Sequence, residues 1–188
     1  MLPTRFVFRF CLALTALLLS ACGNLANVQS YSTPYAAPVG QETARLRVIT
    51  NGMARGVPGR SCIDWRQPGA GVIAVAQPGF ANRNGQTLGM PPSRQGEQLG
   101  AAGFATSEVQ VPGNQPFALN FQSRGMVSSG YAYSCQQSLT FTPEAGRDYE
   151  LLLMESGQCL ARLVRLDDGR NLSGSLQDTQ LCKASDAF

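Results

Sequence analysis

The sequence predicts an all-β fold, an antiparallel β-sandwich or small barrel of about seven strands, disulfide-bonded, with a long irregular middle loop. Three observations predict it. Short stretches alternate apolar and polar residues with period two, as half-buried strands do. Glycine (20 residues) and proline (11) punctuate the spaces between them, and both disfavour helix interiors. Four cysteines beyond the N-terminal region form an even set suited to stapling a modest domain.

The first 21 residues stand apart from this pattern. Arg5 and Arg9 give a basic start, Phe10 to Leu19 form an apolar run, and small residues follow, which are the three parts of an export signal. The apolar run is about half the ~20 residues that a membrane-spanning helix needs. Its exit, Leu19-Ser20-Ala21-Cys22, resembles the lipobox of bacterial lipoproteins, in which signal peptidase II cleaves before an invariant cysteine. The resemblance implies that residues 1–21 are removed and that Cys22 carries a diacylglyceryl group and an N-acyl chain, enough acyl chains for lasting membrane attachment. Gly23 follows Cys22 where an aspartate often signals inner-membrane retention, so the resemblance favours the outer membrane, facing the periplasm.

Residues 22–43 lack any sustained period and read as the lipidated cysteine and a flexible tether, with a root-mean-square span of roughly 25 Å. The single β domain then occupies 44–188. Its first strand is Ala44 to Thr50, where Leu46 and Val48 alternate with Arg45 and Arg47. Ser107 to Val111 repeats the pattern, and Pro112-Gly113-Asn114 turns it into Phe117, Leu119 and Phe121, a predicted hairpin. Tyr131 to Phe141 is the clearest strand, with Tyr131, Tyr133, Cys135, Leu139 and Phe141 on one face. The turn Pro143-Glu144-Ala145-Gly146 leads into Tyr149, Leu151 and Leu153, and Ser156-Gly157-Gln158 links these to a strand from Cys159 to Leu166. The segment PEAGRDYELLL and its surroundings resemble the sheet repeats of transthyretin-like or immunoglobulin-like periplasmic lipoproteins, which implies a sandwich architecture. Residues 77–104, rich in glycine and proline, show neither helical nor strand spacing. Loops of that length in a compact domain are usually functional or disordered, and two short edge strands are a third reading.

Cys11 lies in the signal and Cys22 in the lipobox, leaving Cys62, Cys135, Cys159 and Cys182. In an oxidising compartment these predict two disulfides, and no metal site is expected because there is no Cys-x-x-Cys spacing and no histidine. Three pairings are possible; the expectation is Cys62–Cys135 and Cys159–Cys182, the second closing the C-terminal segment onto the strand that bears Cys159.

The chain has a net charge of +3, and removal of Arg5 and Arg9 leaves about +1, which gives no electrostatic reason to expect nucleic acid. The absence of histidine excludes Ser-His-Asp and Cys-His devices, and no nucleotide-binding loop or nucleophile elbow is present, so no cofactor is implied. Paired carboxylates remain as a route to glycan hydrolysis, with Asp64, Glu97, Glu108, Glu144, Asp148 and Glu150 as candidates, read mainly as solvated charge. Trp65 and Arg66, beside the only tryptophan's neighbour Asp64, are candidates for contacting a partner or packing on a Cys62 disulfide. Arg83 and Arg94 are candidates in the middle loop. The expected function is therefore a lipid-anchored, non-catalytic interaction or structural module whose partner is an envelope protein or peptidoglycan. The alternative is a glycan-acting hydrolase using two carboxylates.

Overall fold

A computed structural model describes residues 22–99, 103–128 and 130–183. The expected signal segment, residues 1–21, lies outside the described residues. Eleven short strands are described: β1 (Thr43–Thr50), β2 (Met53–Pro58), β3 (Gly71–Val75), β4 (Ala105–Pro112), β5 (Phe117–Gln122), β6 (Met126–Ser128), β7 (Tyr131–Tyr133), β8 (Gln136–Phe141), β9 (Asp148–Glu155), β10 (Cys159–Arg165) and β11 (Gln177–Asp178). They form a four-stranded sheet in the order β10-β9-β1-β4 and a five-stranded sheet in the order β11-β8-β5-β2-β3, while β6 and β7 pair only with each other. The fold is thus an all-β sandwich and not a closed barrel.

The core lies between the sheets and follows the period-two pattern. Leu46 and Val48 of β1, Val109 and Val111 of β4, and Tyr149, Leu151 and Leu153 of β9 meet Leu119 and Phe121 of β5 and Leu139 of β8, all of them buried. A chain of edge-to-face aromatic contacts crosses it, from Tyr35 to Phe117 (5.9 Å), Phe117 to Phe141 (6.2 Å) and Phe141 to Tyr149 (5.9 Å). Both phenol oxygens at its ends are satisfied: the Tyr35 hydroxyl donates to the Gln110 carbonyl at 3.0 Å, and the Tyr149 hydroxyl accepts from the Glu144 amide at 2.9 Å.

Several expectations are corrected. The strands flanking Pro112-Gly113-Asn114 do not form a hairpin: β4 lies in the four-stranded sheet and β5 in the five-stranded one. Both present an apolar face to the core, so the spacing is right, but the turn carries the chain across the sandwich. It is fixed there because the Gly113 amide donates to the Glu42 carbonyl (2.8 Å) and the Asn114 amide to that of Pro143 (2.7 Å). The sheets are not wholly antiparallel, since β1 pairs in parallel with β9. Tyr131 to Phe141 is not one strand. It breaks at Ser134–Cys135, where the chain leaves the β6–β7 ribbon and enters β8, so Cys135, Leu139 and Phe141 are buried while Tyr131 is 81% exposed.

The cysteines pair as Cys62–Cys182 and Cys135–Cys159, with Cα–Cα distances of 5.0 and 5.5 Å, in place of the expected Cys62–Cys135 and Cys159–Cys182. The reason is the path of the tail. After β10 the chain crosses to the five-stranded sheet, where β11 pairs with β8, and then runs parallel to residue 63, with the Ile63 amide bonded to the Gln180 carbonyl and the Cys182 amide to that of Ile63. Cys182 is thereby delivered to Cys62. The expectation of local closure onto the strand of Cys159 placed the tail on the wrong sheet.

Residues 22–43 are not a free tether along their length. Residues 22–30 form a helix, and residues 33–36 lie along β3: the Val72 amide donates to the Thr33 carbonyl (2.8 Å), and the Tyr35 amide to that of Val72 (2.9 Å). Tyr35, only 1% exposed, is a core residue. The close approach needs Gly71, because a Cβ there would lie 2.3 Å from the Thr33 oxygen. Gly71→Ala is therefore expected to lift residues 33–36 off β3 and to cost roughly 1–3 kcal/mol. Limited proteolysis would report it as faster cleavage between residues 31 and 42.

Residues 83–86 bind the edges of both sheets on the same flank. The Arg83 amide donates to the Ile73 carbonyl (2.9 Å) and the Gly85 amide to that of Thr106 (2.8 Å), while the Glu108 amide donates to the Gln86 carbonyl (2.8 Å). The Asn84 side chain bonds both backbone groups of Val75, at 3.0 and 2.7 Å. On the opposite flank residues 170–173 line the C-terminal half of β10, and residues 177–179 line β8.

Candidate functional site

The two sheets each carry a buried arginine on their outer face, and the two are treated in opposite ways. In the four-stranded sheet, the side chains that alternate with the core residues include Arg45 and Arg47 of β1, Glu108 of β4, and Asp148 and Glu150 of β9. Residues 88–99, including a short helix at Arg94–Leu99, pack over this face. Arg47 Nε and Nη2 donate to Glu108 Oε1 (3.0 and 2.6 Å), Nη1 donates to Glu150 Oε2 (3.0 Å), and Nη2 also reaches the Pro91 carbonyl (2.6 Å). The covering segment answers with the amides of Leu88 and Met90, which donate to Glu108 Oε2, and with Gln95 Nε2, which donates to Glu150 Oε1 at 2.8 Å. Arg45 completes the face with a two-point pair to Asp148, both contacts at 2.6 Å.

Arg47, Glu108 and Glu150 are 6%, 5% and 2% exposed, so these carboxylates are not the solvated charge that was expected. Burial alone would raise the Glu108 pKa. The Leu88 amide and the Arg47 guanidinium outweigh it, helped by the Met90 amide, and hold the carboxyl below its ordinary value. Residues 88–99 of the middle segment accordingly form a cover whose backbone reads the charges beneath it.

The five-stranded sheet carries Arg55, which shares the outer face of β2 with Met53 and Val57. The helix at 22–30, the loop at 60–70 and the tail near Leu181 cover it, forming a second small core of Val57, Ile63, Trp65, Ala70 and Ala118. The guanidinium lies over the Tyr31 ring at 3.8 Å and over the Trp65 ring at 4.0 Å. It donates through Nη1 to Ser30 Oγ (2.6 Å) and Asn27 Oδ1 (3.4 Å), and through Nη2 to Asn120 Oδ1 (2.8 Å) and the Tyr31 hydroxyl (3.2 Å). Every acceptor is neutral. Arg55 is 2% exposed, and its Nε is buried without a hydrogen-bond partner. Burial lowers its pKa to about 10, below the ordinary guanidinium range, and it stays charged at neutral pH.

Beside Arg55 lies a cavity of about 190 Å³ bordered by Asn27, Tyr31, Trp65, Asn120, Gln136 and Ser138. A larger open groove of about 900 Å³ lies where the middle segment meets the ends of β3 and β4, with Ile49, Val75, Asn82, Asn84, Leu99 and Phe104 along it. Among the described residues, those that line this groove carry no ionisable side chain.

The residues singled out from the sequence fall in different places. Trp65 is only 8% exposed and is not an open stacking platform; it packs in the second core, among the neighbours of the Cys62–Cys182 bridge. Arg66 is on the surface and pairs with Asp64 at 3.5 Å. Arg83 is structural: its Nε donates to the Tyr35 carbonyl at 2.8 Å, and its own carbonyl accepts from the Ser107 hydroxyl. Arg94 and Cys22 each open a helix, and their side chains, like that of Glu97, lie outside the described residues. Glu144, Asp167 and Asp168 engage Arg147 and Arg165 at the surface.

Arg55 and its partners Asn120 and Tyr31 were missed. Arg55 sits in MARGVP, whose glycine and proline hide the strand, and the one available signal was a lone arginine among residues with no acid nearby in sequence. Among the described residues no group of three or more His, Cys, Asp or Glu side chains could hold a metal ion, and no helix is long and apolar enough to cross a membrane. No known family matches the chain, and no curated protein is detectably similar to it.

Proposed function

We propose that the protein is a non-catalytic interaction module, held on the envelope membrane by lipid at Cys22 and meeting an envelope protein or peptidoglycan from the periplasmic side of the outer membrane. The observation that carries the interaction reading is the large groove, which offers shape and apolar surface from Ile49, Val75, Leu99 and Phe104. Glu108 and Glu150, the buried carboxylate pair, are engaged by Arg47 and by the covering segment. The lipobox at residues 19–22 supports the anchor. The β6–β7 ribbon supports the binding role, since it joins neither sheet and presents Tyr131 to solvent, with Tyr133 and Leu160 also exposed near the Cys135–Cys159 bridge.

The test is cross-linking in intact cells, with captured proteins identified by mass spectrometry, alongside metabolic labelling with palmitate. The wild-type chain is expected to incorporate palmitate, to sediment with membranes and to capture a specific envelope component. Cys22→Ala is expected to lose all three. Labelling that persists in Cys22→Ala would remove the anchor from the proposal. Release of reducing ends from peptidoglycan by the purified protein would replace the binding module with the hydrolase.

A further inference from the structure

A cation buried to the degree of Arg55 is costly unless a negative charge accompanies it. Arg47, at similar burial on the opposite outer face, has two carboxylates. Arg55 has neutral oxygens only, three of them from residues 27–31 and one from Asn120 of the sheet. The two rings at 3.8 and 4.0 Å hold the guanidinium in place without neutralising it. One of its donors, Nε, is unused.

The space beside it suits the missing charge. The cavity's border adds the side-chain amides of Asn27, Asn120 and Gln136 and the Ser138 hydroxyl, and Asn120 Nδ2 is held toward Ser138 Oγ at 3.0 Å. Gln136 is exposed, and Asn27, Tyr31 and Leu181 are half-buried, so the cavity reaches the surface. A fixed guanidinium with amide and hydroxyl donors around it is the chemistry that recognises a phosphate group.

We propose that the Arg55 cavity is a binding site for a single oxyanion of the phosphate type, received by the guanidinium that Tyr31 and Trp65 hold and by the polar groups around it. The oxyanion is either free in solution or the phosphate of a lipid headgroup. The site does not depend on lipid at Cys22.

Trp65 is the only tryptophan and lies against the guanidinium, so its fluorescence reports the site directly. The full chain bearing Cys22→Ala would be titrated with inorganic phosphate against chloride at constant ionic strength, and separately with phosphatidylglycerol vesicles against vesicles of an uncharged, phosphate-free glycolipid. A saturable change in Trp65 emission with phosphate identifies a free oxyanion as the ligand; a change with phosphatidylglycerol vesicles alone identifies the headgroup. In either case Arg55→Gln is expected to weaken the response by on the order of tenfold or more, and Arg55→Lys to keep part of it. No saturable change with either probe, or a response unaltered in Arg55→Gln, overturns the proposal. Should Arg55→Gln fail to fold, the Arg55 Nε–H resonance of the otherwise unaltered chain decides: it shifts on addition of the responding probe if the site is real, and an unmoved resonance overturns it.

Discussion

Replacing Arg47 by alanine is expected to destabilise the domain by about 3–5 kcal/mol, because it strands two buried carboxylates whose main counter-charge it was. Glu108 and Glu150 are 5% and 2% exposed, so water cannot take over the role of the guanidinium without opening the cover formed by residues 88–99. Urea denaturation monitored by circular dichroism measures the loss, and a change below about 1 kcal/mol would mean that the face is solvated after all. Replacing all three charges together, as Arg47→Met with Glu108→Leu and Glu150→Leu, is expected to restore much of the stability, since the desolvation cost disappears with the charges. The pH dependence has a definite sign. Glu108 is held below its ordinary pKa in the folded chain, so its contribution is full above that ordinary value and is lost as pH falls through the depressed one. Arg47→Ala should therefore move acid unfolding to higher pH.

Removing the Cys62–Cys182 bridge by paired serine substitutions is expected to cost more than removing Cys135–Cys159. The bridges join residues 120 and 24 positions apart, and loop-closure entropy alone gives about 5 kcal/mol for the first and about 3.5 kcal/mol for the second. The first also holds the tail, whose residues 177–182 pair with β8 and with residue 63. Its loss should raise amide exchange across β11 and around Ile63 while leaving β1 and β9 protected. Chemical denaturation midpoints of the two double variants make the comparison, and equal midpoints would show that loop size does not govern this chain.

The strands with a clean alternation were legible in the sequence. β1, β4, β5 and β9 carry apolar residues at every second position, and each lies where the alternation placed it, while β10 was placed by the turn before it. β2 and β3 were not, because MARGVP holds glycine and proline inside a strand and GVIAV is a continuous apolar run without a polar face. Pairing was the harder matter. A turn such as Pro112-Gly113-Asn114 reads the same whether it folds strands side by side or carries the chain across a sandwich, and the cysteine partners followed from the same ambiguity.

The charged faces were illegible for another reason. Arg45, Arg47, Asp148 and Glu150 are the polar half of an ordinary alternation, and nothing in the period says that residues 88–99 will close over them. Tyr31, Tyr35 and Arg83 were hidden likewise, each in a stretch without period and each fixed by contacts distant in the chain. Tyr31 and Tyr35 themselves were the available clue, since a flexible tether has little use for two tyrosines.

The flanks of the sandwich bear on how a partner can be recognised. Strand β3 is lined by residues 33–36 and 83–84, β4 by 85–86, the C-terminal half of β10 by 170–173, and β8 by 177–179. Along these stretches the chain has filled the hydrogen-bonding rows of β3, β4, β8 and the C-terminal half of β10, so a guest peptide or a neighbouring copy cannot pair directly with those strands there. Recognition at those flanks falls to side chains, which makes affinity a matter of particular residues and leaves backbone mimicry little purchase.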